Sequence, residues 1–319
     1  MHRNPGAKLL ALVAGACLVV IGATGAASIA TSPVPVKAST RNEVSPSAGG
    51  GFFTWAKSRR GHPHVYDVWG QQEGQPTTFK INAPRTSGFG GGIDGSMLVY
   101  QEVKNSNSDL RFFDLVTRQR TNAPPGTNTQ RWEYGPSISG DWLQFGRAVY
   151  QGAEQLILQN RVTGEQRVLD TVNSKRGDLG AGQVNGNFSV WAKCLGNTCN
   201  VFRYDIGSGA RIALPRNGSL LYAPSVTPAG TIYYIRGKTT CGGAVLVKTT
   251  LDGTTFVLAD LGAAKDALST SVLVLPGRPP NGTPGARIYL ETEKCANRRF
   301  DIYSVDDVEP VPPPGPADP

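Results

Sequence analysis

Residues 188–194, FSVWAKC, set apolar and small or polar side chains in alternation about Trp191 and read as a half-buried strand. The same reading applies to FFTWAKS (52–58), MLVYQEV (97–103), WLQFGRA (142–148), TIYYIRG (231–237) and RIYLETE (287–293). The aromatics of these strands, Trp55, Tyr100, Phe145, Trp191, Tyr234 and Tyr289, stand 45, 45, 46, 43 and 55 residues apart. A unit of about 45 residues holds four short strands but too little core to fold alone, so such units must stack. Six of them predict an all-β, six-bladed β-propeller with four antiparallel strands per blade.

The rest of each unit falls into register around the aromatic strand. A short innermost strand precedes it, plainest in YGPSISGD (134–141) and YAPSVTPAG (222–230). A further strand follows, as in HVYDVWG (64–70), LRFFDLV (110–116) or NVFRYDI (200–206), then a Gly or Asn turn and an outer strand such as QRVLDT (166–171). Asp114, Asn160 and Asp205 recur at that turn, 46 and 45 residues apart. The sixth unit runs from RFDIYSV into DDVEPVPPPGPADP, whose prolines cannot donate to a ladder, so its outer strand is missing. An N-terminal segment within Pro35 to Glu43 is expected to complete that last blade and remove an open edge.

Composition agrees. With 39 Gly and 23 Pro in 319 residues and 18% charged side chains, long helices are excluded, and with them a helical bundle or a doubly wound α/β enzyme. The first 30 residues carry Arg3 and Lys8, an apolar run from Leu9 to Ile21, and small residues to Ala30. That is the layout of a secretory signal peptide, the second half of the run being Gly, Ala, Ser and Thr rather than Leu or Val; the rival reading is an uncleaved signal anchor, since about 20 apolar residues span a bilayer. Cys17 adds a lipoprotein cysteine as a third reading. All three place the body of the chain outside the cytoplasm, secreted or tethered to the membrane by its N-terminus. The expected organisation is therefore residues 1–30 signal or anchor, 31–44 linker and closing strand, 45–308 propeller, and 309–319 a Pro-rich disordered tail.

Outside the cytoplasm disulfides persist. In WAKCLGNTCNVFRY (191–204) a turn at Leu195 to Thr198 sets Cys194 opposite Cys199, and Cys241 then pairs with Cys295 by elimination. In the loop-entropy picture the short bridge contributes about 2 kcal/mol and the long one about 4 kcal/mol.

With the repeats laid out, the units resemble the propeller repeats of the TolB family. Residues 222–236, YAPSVTPAGTIYYIR, match the first half of that pattern and 55–67, WAKSRRGHPHVYD, the second, and the similarity covers most of 45–306. The chain departs from TolB in lacking the α/β domain that precedes the propeller there. What the resemblance implies is the fold; related propellers bind proteins, carry enzymes or scaffold.

Catalytic constellations are scarce. Beyond residue 30 the histidines are His62 and His64, either side of Pro63 in one loop, and there is no Gly-x-Ser-x-Gly elbow. No metal site and no cofactor are expected. Asp94, Asp141 and Asp178, near innermost strands, are the candidates for a glycan-acting hydrolase or lyase with carboxylates at the propeller axis, although Asp94 and Asp141 also fall in turns the repeat needs.

The net charge of +8 becomes +6 once Arg3 and Lys8 are removed. The cations form no long run, which argues against nucleic-acid binding and for acidic partners. Two groups stand out. Two residues after each strand aromatic come Lys57, Glu102, Arg147, Lys193, Arg236 and Glu291, a ring read either as a cationic rim for an acidic ligand or as ion pairs between neighbouring blades, such as Lys57 with Glu291 and Glu102 with Lys57 or Arg147. The loops after the aromatic strands bring Arg59, Arg60, His62 and His64 of blade one beside Arg298 and Arg299 of blade six. The function expected is a non-catalytic binding or scaffold propeller of the cell envelope, monomeric, recognising an anionic protein or cell-wall polymer.

Overall fold

In the computed structural model, which describes residues 32–149, 152–238, 241–275 and 285–307, six four-stranded antiparallel sheets are arranged as propeller blades. The expected signal or anchor segment and the Pro-rich tail lie outside the described residues. Strand β1 (Val34–Lys37) comes first in the chain but belongs to the last sheet. The innermost strands are β2 (Glu43–Gly49), β6 (Ser87–Asp94), β10 (Glu133–Ser139), β14 (Gly177–Asn185), β18 (Leu220–Val226) and β22 (Lys265–Val274). The aromatic strands lie second: β3 (Phe52–Arg59), β7 (Met97–Lys104), β11 (Trp142–Val149), β15 (Phe188–Leu195), β19 (Ile232–Gly237) and β23 (Ala286–Lys294). Third come β4 (His62–Gln72), β8 (Asn107–Asp114), β12 (Ala153–Asn160), β16 (Thr198–Asp205), β20 (Val245–Thr249) and β24 (Arg299–Asp307). The outer strands are β5 (Thr78–Lys80), β9 (Gln119–Thr121), β13 (Gln166–Asn173), β17 (Arg211–Ala213), β21 (Thr255–Asp260) and, closing blade six, β1.

The closing strand is as expected in origin but shorter. Val34 lies opposite Ser304 and Lys37 opposite Ile302, while Glu43 instead opens the innermost strand of blade one. Pro35 is tolerated because β1 is an edge strand. The ammonium of Lys37 sits 4.3 Å over the Trp55 ring and donates to Gln71 Oε1 at 2.9 Å, tying the closing strand to blade one.

The core lies between blades rather than within them. Trp55, Tyr100, Phe145, Trp191, Tyr234 and Tyr289 are all buried, and each core cluster draws on more than one sheet or on a sheet and its neighbour's outer strand: Val68 and Ile81 of blade one, for instance, pack with Leu98 and Tyr100 of blade two. Every innermost strand carries a bulge at the same place. At four of the six the bulge holds a residue with positive φ, namely Ser45, Gly135, Gly182 and Ala223. At Gly182 a Cβ would come within 2.0 Å of the Val190 carbonyl oxygen, so only glycine fits there. The serine after the bulge proline then bridges blades: Ser47 donates to Gly91 O, Ser137 accepts from Val184 N at 3.1 Å, and Ser225 accepts from Thr270 Oγ1 at 3.0 Å.

Both disulfides form as the sequence predicts, Cys194–Cys199 within one hairpin and Cys241–Cys295 across blades five and six. Two disulfides fit an extracytoplasmic compartment.

Candidate functional site

Because strands alternate in direction, the connections divide between two ends of the propeller. The turns joining first to second and third to fourth strands lie at one end, here the turn face. The loops joining second to third strands, and the connectors between blades, lie at the other, the loop face.

The basic residues singled out in blades one and six lie at the loop-face end of their strands. The two blades are joined there by Phe300 N donating to Asn42 Oδ1 at 3.4 Å and Ser45 N donating to Glu291 Oε2 at 2.9 Å. Arg59 and Arg299 are braced inward, however. Arg59 lies 2.6 Å from Asp67, which also holds Lys80 at 2.8 Å. Burial works against the Asp67 charge, but these two cations outweigh it and keep the carboxyl below the usual carboxylate range. Arg299 and Lys294 share the buried Asp301, at 3.4 and 2.8 Å. Arg60, His62 and His64 point to solvent, the histidines from the first residues of β4 rather than from a loop. Arg298 touches Glu293 at 2.9 Å and is 72% exposed.

The ring two residues beyond the aromatics is built into the sheets. Lys57 pairs with Glu43 at 2.8 Å and Arg147 with Glu133 at 2.9 Å, each directly across from its partner in the innermost strand of the same blade. Lys193 reaches the neighbouring blade's Asp170 at 2.7 Å. Glu102 takes Arg111 and Arg120 of its own blade; burial disfavours its charge, and Arg120 and the Ala83 amide overturn that and hold its pKa low. Glu291, which accepts from Ser45 N and Ser269 Oγ, has its pKa raised by burial. Lys57 therefore pairs with Glu43, not Glu291, and Glu102 with neither Lys57 nor Arg147. Arg236 has no ion pair among the described residues.

The cations of the loop face that the motif reading missed sit in the blade connectors: Arg41, Arg85, Arg131, Lys175, Arg176 and Arg216. Arg60, Lys238 and Arg298 add to them from the loops between second and third strands. The described residues between strands on this face include not one Asp or Glu. The turn face is the reverse. Its described turns carry Glu73, Asp141, Glu165 and Asp252 against Arg118 and Arg161, and strands end there in Asp94, Asp114, Asp205, Asp306 and Asp307. A periodic signal was available in the sequence: Arg41, Arg85, Arg131, Arg176, Arg216 and Lys265 follow one another at 44, 46, 45, 40 and 49 residues, the period of the blades.

At the centre of the loop face a funnel of about 510 Å³ opens on the axis, walled by the bulges at Ser45–Pro46, Gly135–Pro136 and Ala223–Pro224 and by the Cys194–Cys199 bridge. Its acids are Asp178 and Asp266, and the Tyr222 hydroxyl donates to Asp266 at 2.6 Å. The three carboxylates considered for axial catalysis do not converge. Asp178 lines this funnel, whereas Asp94 and Asp141 lie at the turn face, where Asp94 accepts from Gly140 N at 3.0 Å and faces Arg161 at 3.7 Å.

No protein-family model matches the chain, and no curated protein sequence does. Among solved structures, TolB from Acinetobacter baumannii aligns with a TM-score of 0.55 and 15% identity, over 81% of this chain and 65% of that one. A putative TolB from Agrobacterium tumefaciens aligns with a TM-score of 0.55 and 12% identity, over 86% of this chain and 92% of that one. A prolyl endopeptidase structure gives 0.51 and 9%, over 85% of this chain and 51% of that one. At these identities the likeness establishes the shared propeller fold, and the resemblance of the repeats to TolB holds at that level.

Proposed function

We propose that this chain is a non-catalytic binding propeller of the cell envelope whose loop face docks an anionic partner, protein or polymer. The observation that supports the reading is the separation of charge between the two faces: cations without acids in the loops of one, mainly carboxylates at the turns of the other. A field of that shape turns the basic face toward an anionic surface and speeds its capture. Arg60, His62, His64 and Arg298 form the outward sector of blades one and six, with Arg59 and Arg299 bracing the strands beneath them. The two disulfides and the expected N-terminal signal or anchor are consistent with a position outside the cytoplasm.

The test is co-sedimentation of the protein with isolated envelope material. Arg60→Glu with Arg298→Glu is expected to release the protein, whereas Arg118→Glu with Arg161→Glu on the turn face leaves it bound. Equal retention of both variants would refute the docking face.

A further inference from the structure

We propose that the loop face rests on an anionic lipid bilayer, with Trp132 and Leu195 as the side chains that enter it and the cations beside them bound to lipid phosphates. The proposal rests on the docking-face reading above and names the partner as a bilayer surface. Three observations carry it.

The first is where exposed apolar side chains stand. Trp132 is 39% exposed and lies in the connector one residue before β10, its carbonyl accepting from Ala148 N at 2.9 Å. Leu195 is 50% exposed and ends β15, at the tip of the hairpin that the Cys194–Cys199 bridge clips. That tip is tied down: Gly196 N donates to Arg176 O at 3.1 Å, and Leu195 packs so closely over Gly177 that a Cβ there would come within 2.9 Å of its Cδ2. Strands β10 and β14 start beside these two side chains and are neighbours, with the Tyr134 hydroxyl donating to Leu179 O at 3.3 Å. One sector, at blades three and four, therefore presents both. Apolar side chains fixed in water gain free energy only when the face is covered.

The second is the charge around them. Lys175 and Arg176 lie between the two blades and Arg85 in an earlier connector, all three exposed and in no ion pair among the described residues. The nearby acids are turned inward. Glu133 is buried against Arg147, Glu154 accepts from Tyr134 Oη and Leu179 N, and Asp178 belongs to the funnel wall. Trp concentrates at the headgroup level of membranes because its ring is apolar and its N–H polar, and Lys or Arg beside it is drawn to anionic lipid. A bilayer sets an apolar layer directly beneath a layer of phosphates, which is the pairing this sector offers. A wall polymer supplies the phosphates but no apolar layer, and an acidic protein would need hollows matched to two side chains on separate loops.

The third is the contrast with the opposite face. Val116, Val162 and Leu251 are exposed in the turns there, but beside Asp114, Glu165 and Asp252. An anionic surface repels that face and attracts the other, so the charge selects which apolar side chains meet the lipid. Leu268, also exposed, lines the funnel and sits below the reach of a flat surface.

The experiment titrates the full chain with unilamellar vesicles of equal parts phosphatidylglycerol and phosphatidylcholine, and separately with phosphatidylcholine alone, and follows tryptophan emission. The difference between wild type and Trp132→Phe isolates Trp132. The apolar run from Leu9 to Ile21 holds no Trp, and its insertion would depend on neither lipid charge nor the loop face. Trp132 emission should move to shorter wavelength with the anionic vesicles only, and salt should reverse the shift. Lys175→Gln/Arg176→Gln should weaken binding about thirtyfold, and Leu195→Ser about fivefold. Leu268→Ser and Val116→Ser/Val162→Ser should bind as wild type, and unchanged thermal midpoints guard against folding defects. Trp132 emission that does not move, or moves equally with neutral vesicles, would overturn the bilayer. If Arg60→Glu/Arg298→Glu still releases the protein from envelope material in that case, the docking face stands with a polymer or protein partner; if it does not, both readings fail. Retention on envelope material that is lost in Leu268→Ser but kept in Lys175→Gln/Arg176→Gln would overturn the bilayer in favour of a protein segment in the funnel.

Discussion

Removing the Cys241–Cys295 bridge should cost more than removing Cys194–Cys199, by an amount the two loop lengths fix. The first closes a separation of 54 residues and the second 5. Chain entropy then gives about 4 kcal/mol for the long bridge and about 2 kcal/mol for the short one. Their surroundings point the same way. Cys194 and Cys199 face each other across an already paired hairpin, whereas Cys241 and Cys295 join blades whose nearby ties are Cys295 N to Ala264 O at 3.1 Å and Gly243 N to Gly262 O at 3.0 Å. The assay is guanidinium unfolding of the double serine variants, Cys241→Ser/Cys295→Ser and Cys194→Ser/Cys199→Ser, followed by tryptophan fluorescence. With a slope of about 5 kcal/mol per molar denaturant, midpoints should drop by about 0.8 M and about 0.4 M. Equal drops, or a larger one for the short bridge, would refute the view that the seam between blades five and six is held by this crosslink.

Asp170 accepts from Trp191 Nε1, Lys193 Nζ and Arg211 Nη2 at 2.9, 2.7 and 2.7 Å, so Asp170→Ala should destabilise by about 2 kcal/mol in urea unfolding, Arg211 and Lys193 being partly solvated. Burial opposes the Asp170 charge, but Lys193, Trp191 and Arg211 together lower its pKa, so this stability is present above the unfolded value of 3.8 and is lost as pH falls through the folded one. Glu291 has the opposite sign: its pKa is raised by burial and by Glu293, so the folded state binds the extra proton and stability declines as pH rises from the unfolded value of 4.5 through the folded one. Glu291→Gln should flatten that decline in a series of thermal midpoints against pH, and an unchanged profile would contradict it. A chain that starts after Lys37 should expose the edge of β24 and self-associate in sedimentation velocity; a monomer would show that β1 is dispensable for closure.

Much of the architecture was legible in the sequence because it repeats. Trp55, Tyr100, Phe145, Trp191, Tyr234 and Tyr289 recur at the blade period since each must fill the same gap between sheets, and all are buried. The cysteine pairing followed from the hairpin around Leu195 to Thr198. The candidate site was less legible because it depends on register. That Lys57 faces Glu43 and Arg147 faces Glu133 is set by bulges at Val44/Ser47 and Tyr134/Ser137, which shift the pairing of the innermost strands and have no fixed spelling: Ser-Pro in blade one, Gly-Gly in blade two, Gly-Pro in blade three, Ala-Pro in blade five. His62 and His64 looked like loop residues because Pro63 separates them, yet the edge of β4 there faces solvent and tolerates a proline. The connector cations were hidden for another reason. The connectors that hold them run from three to eleven residues and differ in composition, so only the period, not the neighbourhood, marks them.

Hydrogen exchange of the protein with and without isolated envelope material tests the proposed docking face most directly, because it reads many loops at once. Protection is expected in the loop-face segments 38–42, 60–64, 81–86, 174–176, 214–219 and 295–298, with exchange in the turns at 73–77, 115–118, 161–165 and 206–210 unchanged. Protection confined to those turns, with the loop segments exchanging as in the free protein, would contradict the assignment of the basic face as the binding surface.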